Sequence, residues 1–171
     1  MRYAVGRWAE DRWQRVGREF SVTGRGLTST AAANECACNL WNPHSVRSLW
    51  VIEFMFSRDS NPSAIDVLRL CRTTTQGTAG STVTPDLDND FEREVTPNTG
   101  ASLGLSNFSV EPTLQTPELY SLAFELTGEH QFMNWVFPDQ GIRVGPGTGL
   151  GLFSTGAIAI SPSTVSFRFR E

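Results

Sequence analysis

The chain is 171 residues long with a formal net charge of −4, and all of its basic residues are arginine. That length suits one domain with a real core. The missing lysine excludes a phosphate-loop lysine, a Schiff base and a kinase-type lysine, and it leaves a set of weakly hydrated, bidentate cations suited to protein interfaces.

Residues 1–18 are the only stretch with helical spacing, since Val5, Ala9, Trp13 and Val16 recur at intervals of four, four and three. The segment reads as an N-terminal arm or short helix ahead of a domain over residues 19–171. Residues 1–25 hold six arginines against three acids, whereas the rest of the chain has eight against fifteen. A basic arm on an acidic body points to docking on an acidic surface or on nucleic acid, although pairing of Asp11 with Arg7 or Arg15 along a helix turn fits the same residues. Trp8 and Trp13 are costly to leave in water, so the arm is expected to pack on something.

From Glu19 onward strands and turns alternate. Phe20 and Val22 predict a brief strand, residues 31–41 a longer one ended by Asn42-Pro43. Residues 48–57 predict a central strand with Trp50, Ile52, Phe54 and Phe56 on one face and Leu49, Val51, Glu53 and Met55 on the other. Residues 65–73 predict a further strand. Residues 76–99, rich in Thr, Gly, Asp and Pro, predict a long surface excursion. Strands resume at 101–105, 108–110, 119–126 and 132–137. The last residues, 142–171, read as further strands around the turn-rich Gly145-Pro146-Gly147-Thr148-Gly149. There Val165, Phe167 and Phe169 alternate with Thr164, Ser166, Arg168 and Arg170, one face for a core and one for water or a partner. Eight to ten short strands with no strand-helix alternation predict an all-β, antiparallel sandwich or barrel.

Few residues suggest chemistry. Cys36, Cys38 and Cys71 fit buried free thiols, because Cys36-Ala37-Cys38 in a strand directs both sulfurs to one face without the turn that structural zinc needs. His44 and His130 have no context of a base or metal ligand. Asp86, Asp88 and Asp90 match the opening of a calcium loop, but Phe91 stands where its glycine belongs and Pro97 where its last acid belongs. The glycines at 145, 147, 149 and 151 suit a tight turn with close backbone approach. No serine sits in a nucleophile elbow. No enzyme, cofactor or metal is therefore expected. The start, residues 1–5, lacks the apolar run of a secretion signal, and residues 49–56 are too short and too broken by Glu53 to span a membrane. Synthesis in a reducing cytoplasm is expected.

Two segments carry a resemblance. Leu40-Trp41-Asn42-Pro43-His44-Ser45 with the apolar strand 49–56, and Arg143-Val144-Gly145-Pro146-Gly147-Thr148-Gly149-Leu150-Gly151-Leu152, resemble structural proteins of tailed bacteriophages, most nearly the small capsid decoration or cement proteins. The resemblance covers residues 28–75 and 140–171. It implies a jelly-roll-like β-sandwich that forms a homotrimer on the outer surface of the virion's capsid and binds the major capsid protein. On this reading the arm residues Arg7, Trp8, Arg12, Trp13 and Arg15 reach the shell or a neighbouring copy, since Arg and Trp are enriched among interface anchors. The alternatives are another virion component, such as a head fibre base, tail or baseplate sandwich, or a carbohydrate-binding module with Trp41, Trp50 and Trp135 along a groove. Nucleic acid is not an expected partner, because the acidic body repels phosphate.

Overall fold

Alternation of apolar and polar side chains is strictest at the C-terminal end of the chain, and the first sheet is built around it. The structure is a computed structural model and describes residues 18–27, 34–58, 66–87, 96–124, 131–137, 141–155 and 163–171. Its elements are all strands: β1 Glu19–Leu27, β2 Cys36–Asn42, β3 Leu49–Arg58, β4 Asp66–Thr73, β5 Ser81–Val83, β6 Asp86–Leu87, β7 Ser102–Leu105, β8 Leu114–Phe124, β9 Phe132–Val136, β10 Ile142–Val144, β11 Thr148–Ser154 and β12 Ser163–Arg170. Strand β12 buries Val165, Phe167 and Phe169 and turns Thr164, Ser166, Arg168 and Arg170 outward, as its sequence requires.

The strands form two antiparallel sheets. Sheet A runs β10-β3-β12-β1-β6, with β9 also on β3; sheet B runs β5-β7-β2-β11-β4-β8. Strands β10 and β9 follow one another along the same edge of β3, opposite residues 49–51 and 53–57. The two orders are related in a simple way. Read as β1, β12, β3, β9/β10 in one sheet and β2, β11, β4, β8 in the other, each position holds chain neighbours, while hydrogen-bonded strands within a sheet are distant in sequence. Strands β5, β6 and β7 are an insertion between β4 and β8, and they extend both sheets beyond β1 and β2.

One core joins the sheets. Phe20, Val22, Leu49, Val51, Phe54, Phe56, Val165, Phe167 and Phe169 of sheet A pack with Cys38, Leu40, Leu68, Leu70, Leu103, Leu150 and Leu152 of sheet B. Phe20 stacks on Phe169 at 5.7 Å and Phe54 meets Phe167 at 5.0 Å. Each such side chain contributes about 1.5–3 kcal/mol by burial, against about 0–1 kcal/mol for an exposed ion pair, so the apolar interior and not surface charge holds the sandwich together.

Two bulges change which residues face that interior. Opposite Arg168 and Phe169 stand Glu53 and Val51, so Ile52 is an extra residue in β3. The alternation shifts phase there. Leu49, Val51, Phe54 and Phe56 are the core face, whereas Trp50 and Met55 are half-buried on the outer side, which corrects the faces expected from unbroken alternation. Strand β3 is central, as its apolar composition predicts. Likewise Leu152 and Phe153 oppose Cys38 and Cys36, leaving Ala37 as the extra residue. The two cysteines therefore separate: Cys38 joins the main core, and Cys36 joins a small cluster with Cys71 and Phe153.

The glycines of the 145–151 run have different uses. Gly147 takes a positive φ of 60° in the turn between β10 and β11. Gly149 and Gly151 lie on the outer face of β11, where a Cβ on Gly149 would stand 2.7 Å from Asn39 Oδ1 and 2.9 Å from the Leu40 carbonyl oxygen, and one on Gly151 2.7 Å from the Phe153 ring. A Cβ on Gly145 meets only Thr148 Oγ1, at 3.6 Å. Gly149→Ala is expected to destabilise the fold by about 1–3 kcal/mol through overpacking against fixed backbone, and Gly145→Ala to be tolerated; denaturant unfolding of the two variants checks the contrast.

Candidate partner-binding surface

The two outward faces of the sandwich are treated differently by the chain. The outer face of sheet B is covered by residues 74–80 and 106–114, which run together as a strap. Thr78 N donates to Val110 O at 2.8 Å, Ser109 N to Thr78 O at 2.8 Å, Gly80 N to Ser106 O at 3.0 Å and Thr74 N to Thr113 O at 2.9 Å. The strap is fixed to the sheet through buried Asn39, whose amide donates to Gln76 O at 3.0 Å while its Oδ1 accepts from Thr73 Oγ1 at 3.0 Å. Cys36 N donates to Glu111 Oε2 at 2.9 Å, and Phe108 and Leu114 close over Cys36, Cys71 and Phe153. Residues 108–110, expected as a strand, contribute only the isolated bridge from Val110 to Thr78.

Among the described residues nothing equivalent covers sheet A. Its outer face carries an ionic row across β1, β12 and β3. Arg168 Nη2 lies 2.6 Å from Glu19 Oε2, Arg170 Nη2 lies 2.7 Å from Glu19 Oε1, and Arg168 Nη1 lies 3.7 Å from Glu53 Oε2. Asn134 Nδ2 of β9 donates to Glu53 Oε1 at 2.9 Å. Glu19, Glu53, Arg168 and Arg170 surround a depression of about 230 Å³ together with Ile52, Val136 and Phe137. On β9 the alternation places Phe132 and Val136 outward, 64% and 69% exposed, on either side of Asn134. Trp135 and Met133 point the other way and pack on the core.

The edges formed by β9 and β8 do not invite strand addition. Strand β9 is short, and β8 carries Pro117 and a register shift between the positions opposite Leu70 and Arg72. Such features protect edges. Tyr120 of β8 closes the gap between the sheets by packing on Trp135 at 5.1 Å and Phe137 at 5.3 Å.

The two segments of the sequence resemblance meet at one end of this body. Asn42, fully buried, donates from Nδ2 to Arg47 O at 2.8 Å and Gly145 O at 3.1 Å, and its Oδ1 accepts from His44 N at 3.1 Å. Gly147 N returns a bond to Asn42 O at 3.0 Å. His44 Nδ1 accepts from Val46 N at 3.0 Å and Arg47 N at 2.9 Å, which assigns the proton to Nε2. His44 is thus a turn cap, and the 43–48 loop is tied on both sides.

The arm residues Arg7, Trp8, Arg12, Trp13 and Arg15 lie outside the described residues, as do His130, Asp88 and Asp90. Asp86 is exposed in β6. Trp41, Trp50 and Trp135 do not line one groove: Trp41 is on the outer side of sheet B, Trp50 on the outer side of sheet A, and Trp135 packs between Phe54 and Tyr120. Among the described residues no three His, Cys, Asp or Glu side chains gather in a way that holds a metal ion. The outward arginines of β12 were legible from alternation. Phe132 and Val136 were not, because 132–137 is apolar on both faces and nothing local marks which one is left bare.

No family model matches this chain, and no curated protein matches it significantly.

The three cysteines are free and buried. Burial pushes the Cys36 thiol well above its ordinary range, with Cys38 and Glu111 adding to the effect, and pushes Cys38 up to about 12. An unfolded thiol ionises near about 8.5, so the folded state's preference for protonated Cys38 is complete below that pH and is lost as pH rises towards 12. At pH 8 an aromatic disulfide reagent is expected to label no thiol of the folded protein within minutes and all three in denaturant; prompt labelling of the native chain would contradict this burial.

Proposed function

We propose that this protein is a virion surface component, a capsid decoration protein that attaches to the outside of an assembled shell and stabilises it. The observation that carries the reading is the outer face of sheet A, which no segment among the described residues covers. Exposed Phe132 and Val136 sit there beside a fixed Arg-Glu network, while the opposite face is sealed by the chain's own strap. Aromatic and arginine side chains with a polar surround are the composition of protein-protein contacts. The strand order, with chain neighbours at matching positions of the two sheets, supports reading the sandwich as a jelly roll, an architecture used by capsid and lectin domains; that likeness is an argument by analogy.

Attachment of many copies through modest contacts accumulates by avidity when the target is a lattice. Binding the closed shell and not its loosened form stabilises the shell by mass action. In this proposal the major capsid protein is the partner, a homotrimer is the attaching unit, and the arm with Arg7, Trp8, Arg12, Trp13 and Arg15 adds a second contact. The surface offers a partner shape, charge and apolar area, and no reaction step is assigned to it.

Purified protein mixed with undecorated phage heads and sedimented tests this directly. Wild type is expected to co-sediment and to raise the temperature at which the heads open. Phe132→Ser with Val136→Ser is expected to fold normally, because both side chains are exposed, and to bind at least about tenfold more weakly, as loss of interface anchors does. Failure of the wild-type protein to associate with any shell would reject the proposal.

A further inference from the structure

A second cluster of arginine and tryptophan lies at the end of sheet A where the capped loop enters β3. Trp50 stands directly between Arg143 of β10 and Arg170 of β12 in the register of the sheet. All three project outward, because their neighbours Leu49, Val51, Val144 and Phe169 are buried in the core. Cross-strand neighbours on one face have Cβ atoms about 4.5–5.5 Å apart, so the indole has a guanidinium-bearing strand on each side.

Of the arginines here, only Arg170 is paired with a carboxylate among the described residues. Arg170 shares Glu19 with Arg168. Arg143 is exposed and uses Nε on Ser48 Oγ at 3.0 Å, and its backbone carbonyl accepts from Arg72. Among the described residues neither Arg143 nor Arg47 has a carboxylate partner. In a chain of net charge −4, this is a local excess of cations.

The loop beside it is costly to expose and is nevertheless held rigid. Val46 is 77% exposed at its tip, although Asn42 and His44 fix the backbone on both sides of it. A pre-formed loop loses little conformational freedom on binding.

We infer that Val46, Arg47, Trp50, Arg143 and Arg170 form an anchor for a carboxylate-rich protein segment. Guanidinium groups match carboxylates in paired hydrogen bonds, and Trp50 with Val46 supplies the apolar contact that an inorganic anion or a bare phosphate chain does not use. The inference names the chemistry of the partner's contact and rests on the proposed attachment to shells only for the partner's identity.

The test uses a fluorescent twelve-residue peptide of repeating Glu-Leu-Glu, its Gln-Leu-Gln counterpart, and a twelve-nucleotide single-stranded DNA, with anisotropy as the readout. The full-length protein is expected to bind the glutamate peptide in a salt-sensitive manner and to bind the glutamine peptide and the DNA more weakly. Arg47→Glu with Arg143→Glu is expected to weaken glutamate-peptide binding about tenfold or more, and Trp50→Ala several-fold, as for central anchors. Both changes are at solvent-facing positions, and denaturant unfolding confirms that the variants fold. Equal binding by wild type and the charge-reversed variant, or a preference for DNA, overturns the anchor. Undecorated heads separate the two ideas. Shells that take up the charge-reversed variant as well as wild type leave the proposed function standing and reject the anchor. Peptide binding lost on charge reversal, in a wild-type protein that ignores shells, keeps the anchor and rejects the proposed function.

Discussion

The absence of a side chain at two positions of β11 decides how the rest of the molecule is arranged. Where Gly149 and Gly151 present bare backbone, Asn39, Thr73 and the Phe153 ring settle onto the outer face of sheet B. Asn39 then reaches the strap through Gln76 O, and the 106–114 segment closes over Cys36, Cys71 and Phe153. One face of the sandwich is thereby occupied by the chain itself. The ionic row, the exposed Phe132 and Val136, and the Arg143-Trp50-Arg170 register all fall on the other, which among the described residues is the face left uncovered.

Much of this was readable in the sequence where alternation is unbroken. Strand β12 shows its core phenylalanines and its outward arginines without ambiguity, and the centrality of β3 follows from apolar residues on both of its faces. The phase of β3 was not readable, because a bulge at Ile52 depends on how Arg168 and Phe169 pair with it from far along the chain. Trp50 accordingly lies outside and Trp135 packs inward, the reverse of what unbroken alternation suggests for Trp50. Cys36 and Cys38 part company for the same reason at Ala37. Of the strap, residues 76–80 were visible as part of a polar, turn-rich stretch and residues 108–110 read as a strand, whereas they form only an isolated bridge; its hydrogen bonds to distant strands leave no local pattern.

On the proposed function, the division of labour between faces has a physical logic. A decoration protein must be stiff, because flexible surfaces lose freedom on binding, and here stiffness comes from a phenylalanine-rich interior and from loops tied by Asn39, Asn42 and His44. It must also avoid sticking to copies of itself edge to edge. Pro117 and the shortness of β9 serve that end, leaving recognition to side chains on a face and to the arginine- and tryptophan-rich arm.

Hydroxyl-radical footprinting of the protein, free and attached to undecorated heads, tests most directly whether the uncovered face is the docking face. Attachment should protect Trp50, Met55, Phe132 and Val136 while leaving Phe108 and Val110 of the strap as reactive as in the free protein. Protection of the strap with sheet A unchanged would contradict the account.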